Sequence, residues 1–159
     1  MAAKVKNENL PQQVDVCLIG SCTNSSYQDM ARAASVVKSM LAAGHALKSQ
    51  LIVCPGSELV RTTAERDGIL DVFVKAGATI MTNACGPCIG QWKRENPHPE
   101  RPNSIVTSFN RNFAKRADGN PNTYAFVASP ETAVGYAFTG DLTKHPSFMP
   151  EINCCMPQG

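Results

Sequence analysis

Short apolar runs alternate with longer amphipathic segments along most of this chain. Residues 14–19 are mostly apolar and stop at Gly20, which predicts a first strand. Residues 27–43 carry apolar side chains at helical spacing and stop at Gly44, which predicts a helix. The same patterns predict further strands at 51–54, 79–82, 104–107 and 124–127, and further helices at 58–66, 69–76 and 130–139.

Helix-starting and helix-ending residues support these bounds. Ser57 is a good N-cap for the second helix, and Pro130 stands at the first position of the last one. Gly77 and Gly140 follow two predicted helix ends. Because strands and helices alternate, we predict an α/β fold: a three-layer, mostly parallel, doubly wound sheet flanked by helices.

Composition and charge exclude several classes of protein. The 159 residues, 43% of them hydrophobic, are enough for one sizeable core. The net charge of +2 comes with no basic run, so we expect no nucleic-acid partner. No apolar run reaches the roughly 20 residues of a membrane span, and the opening residues lack the apolar core of a signal peptide, so we expect a soluble, intracellular protein.

Cysteines and arginines mark the predicted carboxyl ends of the strands. Seven cysteines is an odd count, which favours metal or redox use in a reducing compartment over a disulfide framework. Open α/β sheets bind ligands along the carboxyl edge, so loops that follow different strands share one crevice. The candidate residues in these loops are Cys22, Cys85, Cys88, Asn110, Arg111 and Arg116. They predict a three-thiolate Fe–S site, with one iron open as a Lewis acid, beside an anion-binding segment.

Other interpretations of the cysteines remain open at this point. The sequence CGPC at 85–88 is also the dithiol of thioredoxin-like proteins. Its late position, the Ala84 before it, and the unused Cys22 count against that interpretation. A zinc site lacks a convincing fourth ligand, because the histidines lie at a helix end or in Pro-flanked loops. Cys17 and Cys54 fall inside predicted strands, which favours buried, inert thiols.

Three ordered segments carry a family resemblance. They are IGSCTNSSY at 19–27, ACGPCIGQW at 84–92, and TSFNRNF at 107–113 followed by Arg116. Together they resemble the aconitase family, in the mitochondrial-type branch that also occurs in some bacteria. The related isopropylmalate isomerases and the cytosolic type share the cysteine pattern but are not expected to share the GQW at 90–92.

The resemblance implies domain bounds and roles. Residues 14–142 resemble the third, cluster-binding domain of four, with a polar linker at 1–13 and an irregular tail at 143–159 that contains Cys154 and Cys155. Cys22, Cys85 and Cys88 would hold a 4Fe-4S cluster, Arg111 and Arg116 would bind substrate carboxylates, and Asn110 would hydrogen-bond near the cluster. The implied activity is that of a hydro-lyase interconverting citrate and isocitrate through cis-aconitate. The implied location is the mitochondrial matrix in a eukaryote or the cytoplasm in a bacterium.

The resemblance covers only part of the family's length. The serine base of the family lies in the fourth domain, and no serine here matches it, so we expect no catalytic base in this chain. By itself the chain should show no turnover, should need the remaining aconitase domains as partners, and should lose its cluster in air. Two alternatives are a thioredoxin-like redox protein and a non-catalytic module that senses iron or oxidants.

Overall fold

The computed structural model describes residues 2–20, 25–81, 92–94, 99–109, 115 and 117–146. Within them the strands are β1 (Val16–Ile19), β2 (Gln50–Val53), β3 (Thr79–Ile80), β4 (Asn103–Thr107) and β5 (Thr123–Val127). The helices are α1 (Ala2–Asn7), α2 (Tyr27–Ala42), α3 (Glu58–Arg66), α4 (Ile69–Ala76) and α5 (Pro130–Thr139). Every strand and helix predicted from the apolar pattern is present, with ends that differ by at most two residues.

The described strands form one parallel sheet in the order β3-β2-β1-β4-β5. This confirms the predicted α/β fold with a parallel sheet. β1 lies at the centre, where Val16 pairs with Gln50 of β2 on one side and with Ile105 of β4 on the other. The chain runs outward from β1 to β3 and then returns to the opposite side of β1. The order therefore reverses between β1 and β4, which is the switch point where open α/β sheets bind ligands.

Alternate residues of β1 face two separate apolar clusters. Cys17 and Ile19 belong to the larger cluster, which the helices cover, whereas Val16 and Leu18 belong to the smaller one. The helical side supplies Met30, Phe73 and Phe138, and the other side supplies Trp92, Phe109 and Ala117. The latter residues come from the connections that follow β3 and β4, whose described residues contain no helix. Among the described residues, helices therefore cover one face of the sheet and side chains from these connections cover the other, which we call the connection face.

Local hydrogen bonds explain where the helices begin and end. The side chains of Ser26, Ser57 and Ser129 each accept a hydrogen bond from the backbone N–H three residues later. Gly77 and Gly140 adopt left-handed conformations, with φ of 93° and 66°, and end α4 and α5 as predicted. The longest described helix, α2, has 16 residues, and no helix in the described ranges combines the length and hydropathy needed to cross a membrane.

The segment 1–13, which we predicted as a polar linker, contains a helix. α1 buries Val5, which is 3% exposed, in the larger apolar cluster. Farther along, Gln13 forms an antiparallel bridge with Asp141, and the N–H of Leu142 donates to the carbonyl of Gln12 over 2.8 Å. The apolar pattern does not reveal this helix because it is short and only Val5 among its large side chains is apolar.

We expect the contact between this segment and Asp141 to respond to acid. Partial burial raises the pKa of the Asp141 carboxyl, but hydrogen bonds from Thr143 and Gln12 outweigh it and hold the pKa below its usual range. A carboxyl with a lower pKa in the folded state contributes stability above its unfolded pKa of about 3.9, and this stability is lost as pH falls through the folded pKa.

Asp141→Asn should therefore flatten the fall in stability on the acid side, measured by urea unfolding from about pH 6 down to about pH 2. Glu8→Gln, in an exposed pair with Lys4, is the matched control and should leave the profile unchanged. An acid profile of Asp141→Asn identical to that of the wild type would contradict this account.

Candidate functional site

The ladder of backbone hydrogen bonds continues past the named strands at one edge of the sheet. Four backbone N–H groups donate to backbone carbonyls there: Cys54 to Ile19 over 2.7 Å, Met81 to Val53 over 2.8 Å, Ser108 to Leu18 over 3.0 Å and Ala128 to Thr107 over 2.9 Å. We call these residues, with Gly20, the carboxyl edge. The connections after β1, β3 and β4, which contain the cysteine and arginine motifs, leave the sheet from this edge.

The predicted site residues themselves lie outside the described residues. They are Cys22, Cys85, Cys88, Asn110, Arg111 and Arg116, and the same holds for Cys154 and Cys155 of the tail. The structure places the residues on either side of them. Gly20 and Ser25 flank the first cysteine, Met81 and Trp92 flank the C-x-x-C, and Phe109 precedes the asparagine. The site stays a prediction, supported by the geometry of these flanking residues.

Ser108 joins β4 to the end of β1 at the switch point. Its buried hydroxyl accepts a hydrogen bond from the N–H of Gly20 over 3.0 Å and donates to the Gly20 carbonyl over 3.3 Å. In a regular parallel ladder this N–H would donate to the Ser108 carbonyl, so the hydroxyl extends the pairing by one step. Gly20 is two residues before Cys22, and Ser108 is two residues before Asn110. The Ser108–Gly20 hydrogen bonds therefore tie two motif-bearing connections together.

Gly20 is required here because a side chain does not fit. A Cβ at this position would lie 2.8 Å from Cδ2 of Leu18, 3.2 Å from Cε1 of Phe109 and 3.5 Å from Cβ of Cys54. Leu18 is fully buried and Phe109 is 3% exposed, so both side chains that the added Cβ would crowd are enclosed by neighbouring atoms. The close approach of β1, β2 and β4 at the carboxyl edge thus depends on glycine.

A second set of contacts joins the connections on the connection face. The N–H of Trp92 donates to the carbonyl of Ala117 over 3.3 Å. Nη1 of Arg94 lies 3.7 Å from Oδ2 of Asp118, and both side chains are less than a tenth exposed. Nη2 of Arg94 donates to Oδ1 of Asn103, and the guanidinium lies 5.8 Å from the centre of the Trp92 ring. These residues follow the C-x-x-C and the arginine motif directly in sequence.

Asp118 is further held by its own surroundings. Its Oδ1 accepts from the N–H of Asn120 over 3.0 Å, and its Oδ2 accepts from the hydroxyl of Thr123 over 2.8 Å. Both carboxylate oxygens therefore have hydrogen-bond donors in addition to the cation. Sequence reasoning missed Arg94 and Asp118, because 24 residues separate them and no motif links the two.

The two remaining described cysteines behave as predicted. Cys17 lies in β1 and Cys54 just after β2, and both side chains are buried and outside any disulfide. Burial raises the pKa of the Cys17 thiol far above its usual range, so this thiol stays protonated. Among the described residues, no group of three or more His, Cys, Asp or Glu side chains could hold a metal ion.

A protein-family model described as the aconitase family (aconitate hydratase) matches residues 2–140. The chain belongs to the aconitase family. It is 56% identical over 144 residues to mitochondrial aconitate hydratase from Gracilaria gracilis, covering 91% of this chain and 18% of that protein. The corresponding enzyme from Candida albicans is 58% identical over 138 residues, covering 86% of this chain and 18% of that protein.

Mitochondrial homocitrate dehydratase from Saccharomyces cerevisiae is 51% identical over 147 residues, covering 91% of this chain and 19% of that protein. The chain therefore spans about a fifth of the length of the curated relatives it matches. Two aconitate hydratases and a homocitrate dehydratase thus match this chain at similar sequence identity.

Part of the first aconitase-type motif has a structural role. Ser26 begins α2 and forms a reciprocal capping box with Asp29. The hydroxyl of Tyr27 donates to Oδ2 of Asp67 over 2.8 Å and so links α2 to the residue that follows α3. These residues fix where α2 starts, directly after the segment that contains Cys22.

We expect Ser108→Ala to lower the free energy of unfolding by about 1–3 kcal/mol, because it leaves the buried N–H of Gly20 without its hydroxyl acceptor. Ser104→Ala is the matched control: Ser104 is a buried hydroxyl at the other end of β4 that donates to the carbonyl of Gln13. Both variants should lose stability in urea, but only Ser108→Ala should speed amide hydrogen exchange at Gly20, by tenfold or more. Equal exchange at Gly20 in both variants would argue against the Ser108–Gly20 hydrogen bonds.

Gly20→Ala should destabilise the chain by about 1–3 kcal/mol, because the added methyl overpacks the carboxyl edge. Leu18→Val removes the Cδ2 atom that the methyl would meet at 2.8 Å. In urea unfolding, Gly20→Ala should therefore cost less in the Leu18→Val background than in the wild type. A cost that is the same in both backgrounds would show that Leu18 is not the obstacle.

Proposed function

We propose that this chain is the cluster- and substrate-binding domain of an aconitate hydratase, which interconverts citrate and isocitrate through cis-aconitate. The observation that carries the proposal is the arrangement at the carboxyl edge. The ends of β1 and β4 meet at the switch point and are joined by Ser108, and the connections that leave there contain the family's cysteine and arginine motifs. Membership of the aconitase family supports it independently.

The donor set of the predicted site fits a 4Fe-4S cluster. Cys22, Cys85 and Cys88 offer three thiolates, the ligands that such clusters take, and they leave one iron without a protein ligand. When bound, the cluster supplies a Lewis-acidic iron that activates a hydroxyl leaving group. Cys17 stays outside this set because it is buried in the larger apolar cluster with a raised pKa.

The polar residues after β4 bind and orient the substrate in this proposal. Arg111 and Arg116 carry planar, permanently charged groups that bind carboxylates through two parallel hydrogen bonds. Asn110 carries a neutral amide whose NH2 group can donate a hydrogen bond to an oxygen of the substrate. Ser108, two residues before Asn110, fixes the start of this segment against β1.

Proton transfer is assigned to residues outside this chain. The reaction needs a positioned base, and we assign that role to none of the 159 residues. The remaining domains of a longer enzyme are therefore the partners in this proposal, and the chain alone should show no turnover. Since the matched relatives are named mitochondrial, we propose the mitochondrial matrix as the location in a eukaryote and the cytoplasm in a bacterium.

The two alternative functions, a dithiol redox protein and a sensor module, are not equally supported. The dithiol redox interpretation rests on the CGPC at 85–88 alone, and membership of the aconitase family argues against it. A non-catalytic module that senses iron or oxidants uses the same three thiolates and differs from the proposal only in substrate binding. Citrate therefore separates the two: it should change the signal of the cluster in the proposed enzyme domain and leave it unchanged in a sensor.

Anaerobic reconstitution with iron and sulfide, followed by visible absorbance and electron paramagnetic resonance, tests the cluster. We expect a signal in the wild type that is lost in Cys22→Ser and bleaches in air. Cys54→Ala is the matched control, because Cys54 lies at the same carboxyl edge but is not a predicted ligand. A signal that survives Cys22→Ser, or that Cys54→Ala abolishes equally, would contradict the ligand assignment. A substantial rate of cis-aconitate formation by the chain alone would contradict the absence of a base.

A further inference from the structure

The Arg94–Asp118 ion pair lies where two motif-bearing connections meet. Arg94 follows Cys88 by six residues, and Asp118 follows Arg116 by two. Both residues lie with Trp92 and Ala117 on the connection face of the sheet. The pair therefore joins the connection between β3 and β4 to the connection between β4 and β5.

Both side chains are buried, so each charge needs the other to offset the cost of its removal from water. The Arg94 side chain is 6% exposed and that of Asp118 is 7% exposed. A buried charge without a partner is strongly disfavoured, so the two connections are stable only in arrangements that bring guanidinium and carboxylate together. Nη1 of Arg94 has no hydrogen-bond acceptor in the part of the chain that the structure describes, which leaves the 3.7 Å contact with Asp118 as its compensation.

Such a pair specifies position more than it adds stability. Replacing a buried ion pair by apolar side chains is often neutral, whereas the pair itself restricts which arrangements are allowed. The apolar cluster on this face is small and is completed by three residues from the connections, Trp92, Phe109 and Ala117. Apolar contacts are not directional, so this cluster alone would fix the connections poorly. The ion pair and the Trp92–Ala117 hydrogen bond are directional contacts, and they fix how the two connections lie against each other.

We propose that Arg94 and Asp118 are positioning residues that hold the C-x-x-C connection in register with the arginine-bearing connection. The inference rests on the proposed function for the roles of Cys85, Cys88 and Arg116, but the contact itself does not. The Ser108–Gly20 hydrogen bonds join the β1 and β4 ends, and the Arg94–Asp118 pair joins the β3 and β4 connections. All three motif-bearing connections are then linked through the segment that follows β4.

Thiol reactivity in the reduced, metal-free chain tests this directly. The rate of alkylation by iodoacetamide is measured for each cysteine by peptide mass spectrometry. Arg94→Met and Asp118→Asn should each raise the rates at Cys85 and Cys88 at least fivefold and leave the rate at buried Cys17 unchanged. Arg94→Met combined with Asp118→Asn leaves neither charge unpaired but still lacks the ion pair, so its rates at Cys85 and Cys88 should stay raised.

Two controls separate positioning from general destabilisation. Arg66→Met breaks the exposed Arg66–Asp67 pair, whose atoms are 2.8 Å apart, and should change none of the rates. Arg94→Lys keeps the charge but lacks the planar fork, so it should raise the rates at Cys85 and Cys88 less than Arg94→Met does, and it serves as the test if Arg94→Met fails to fold. A parallel rise at Cys17, unchanged rates at Cys85 and Cys88, or a double variant whose rates return to those of the wild type would overturn the inference.

Reconstitution with iron and sulfide distinguishes this inference from the proposed function. If the wild type assembles no cluster that depends on Cys22, the proposed function fails, and the alkylation rates still decide the role of the ion pair. If the cluster assembles and the alkylation rates do not respond to Arg94 or Asp118, the proposed function stands and the positioning role fails. Because alkylation is measured without metal, neither result depends on the other.

Discussion

The hydrogen bonding of β1 on both sides is the constraint on which the rest of the structure depends. β1 pairs with β2 and β4, and all four of its residues are buried. A shift of one residue would exchange Cys17 and Ile19 for Val16 and Leu18 between two clusters of different shape, so the register is strongly specified. That register brings the N–H of Gly20 within hydrogen-bond distance of the Ser108 hydroxyl, which in turn determines where two of the motif-bearing connections begin.

Most of the fold could be predicted because its determinants are local. Apolar runs mark the strands, and Ser57, Ser129 and Gly77 mark helix ends through hydrogen bonds that span only three or four residues. The exception is α1, where burial of Val5 depends on contacts with distant parts of the chain and leaves no periodic pattern. Strand order is also a long-range property, and alternation of strands and helices indicates a parallel sheet without giving the order β3-β2-β1-β4-β5.

The candidate site divides in the same way. The cysteines and arginines stand in compact motifs, and those motifs identify the family that the comparison confirms, although the site residues lie outside the described structure. The residues that join the motif-bearing connections could not be predicted. Ser108 contacts Gly20 across 88 residues of chain. No sequence pattern indicates the partner of a buried serine, or of an arginine that lies beside a tryptophan. Candidate site residues can be predicted from one sequence when they stand close together in a motif. The distant residues that hold those motifs in place cannot.

The unequal covering of the two sheet faces has a consequence for how this domain can change. Among the described residues, the helical face holds most of the buried side chains and the helix caps, whereas the other face has a few buried side chains from the connections. Each face of the sheet therefore has its own apolar cluster, and local opening of the connections would expose the smaller cluster while the larger one stays covered. Mutations in the connections would then act mainly on the smaller cluster. A sheet with this division can tolerate changes in the connections on one face while the strands and helices of the other face persist.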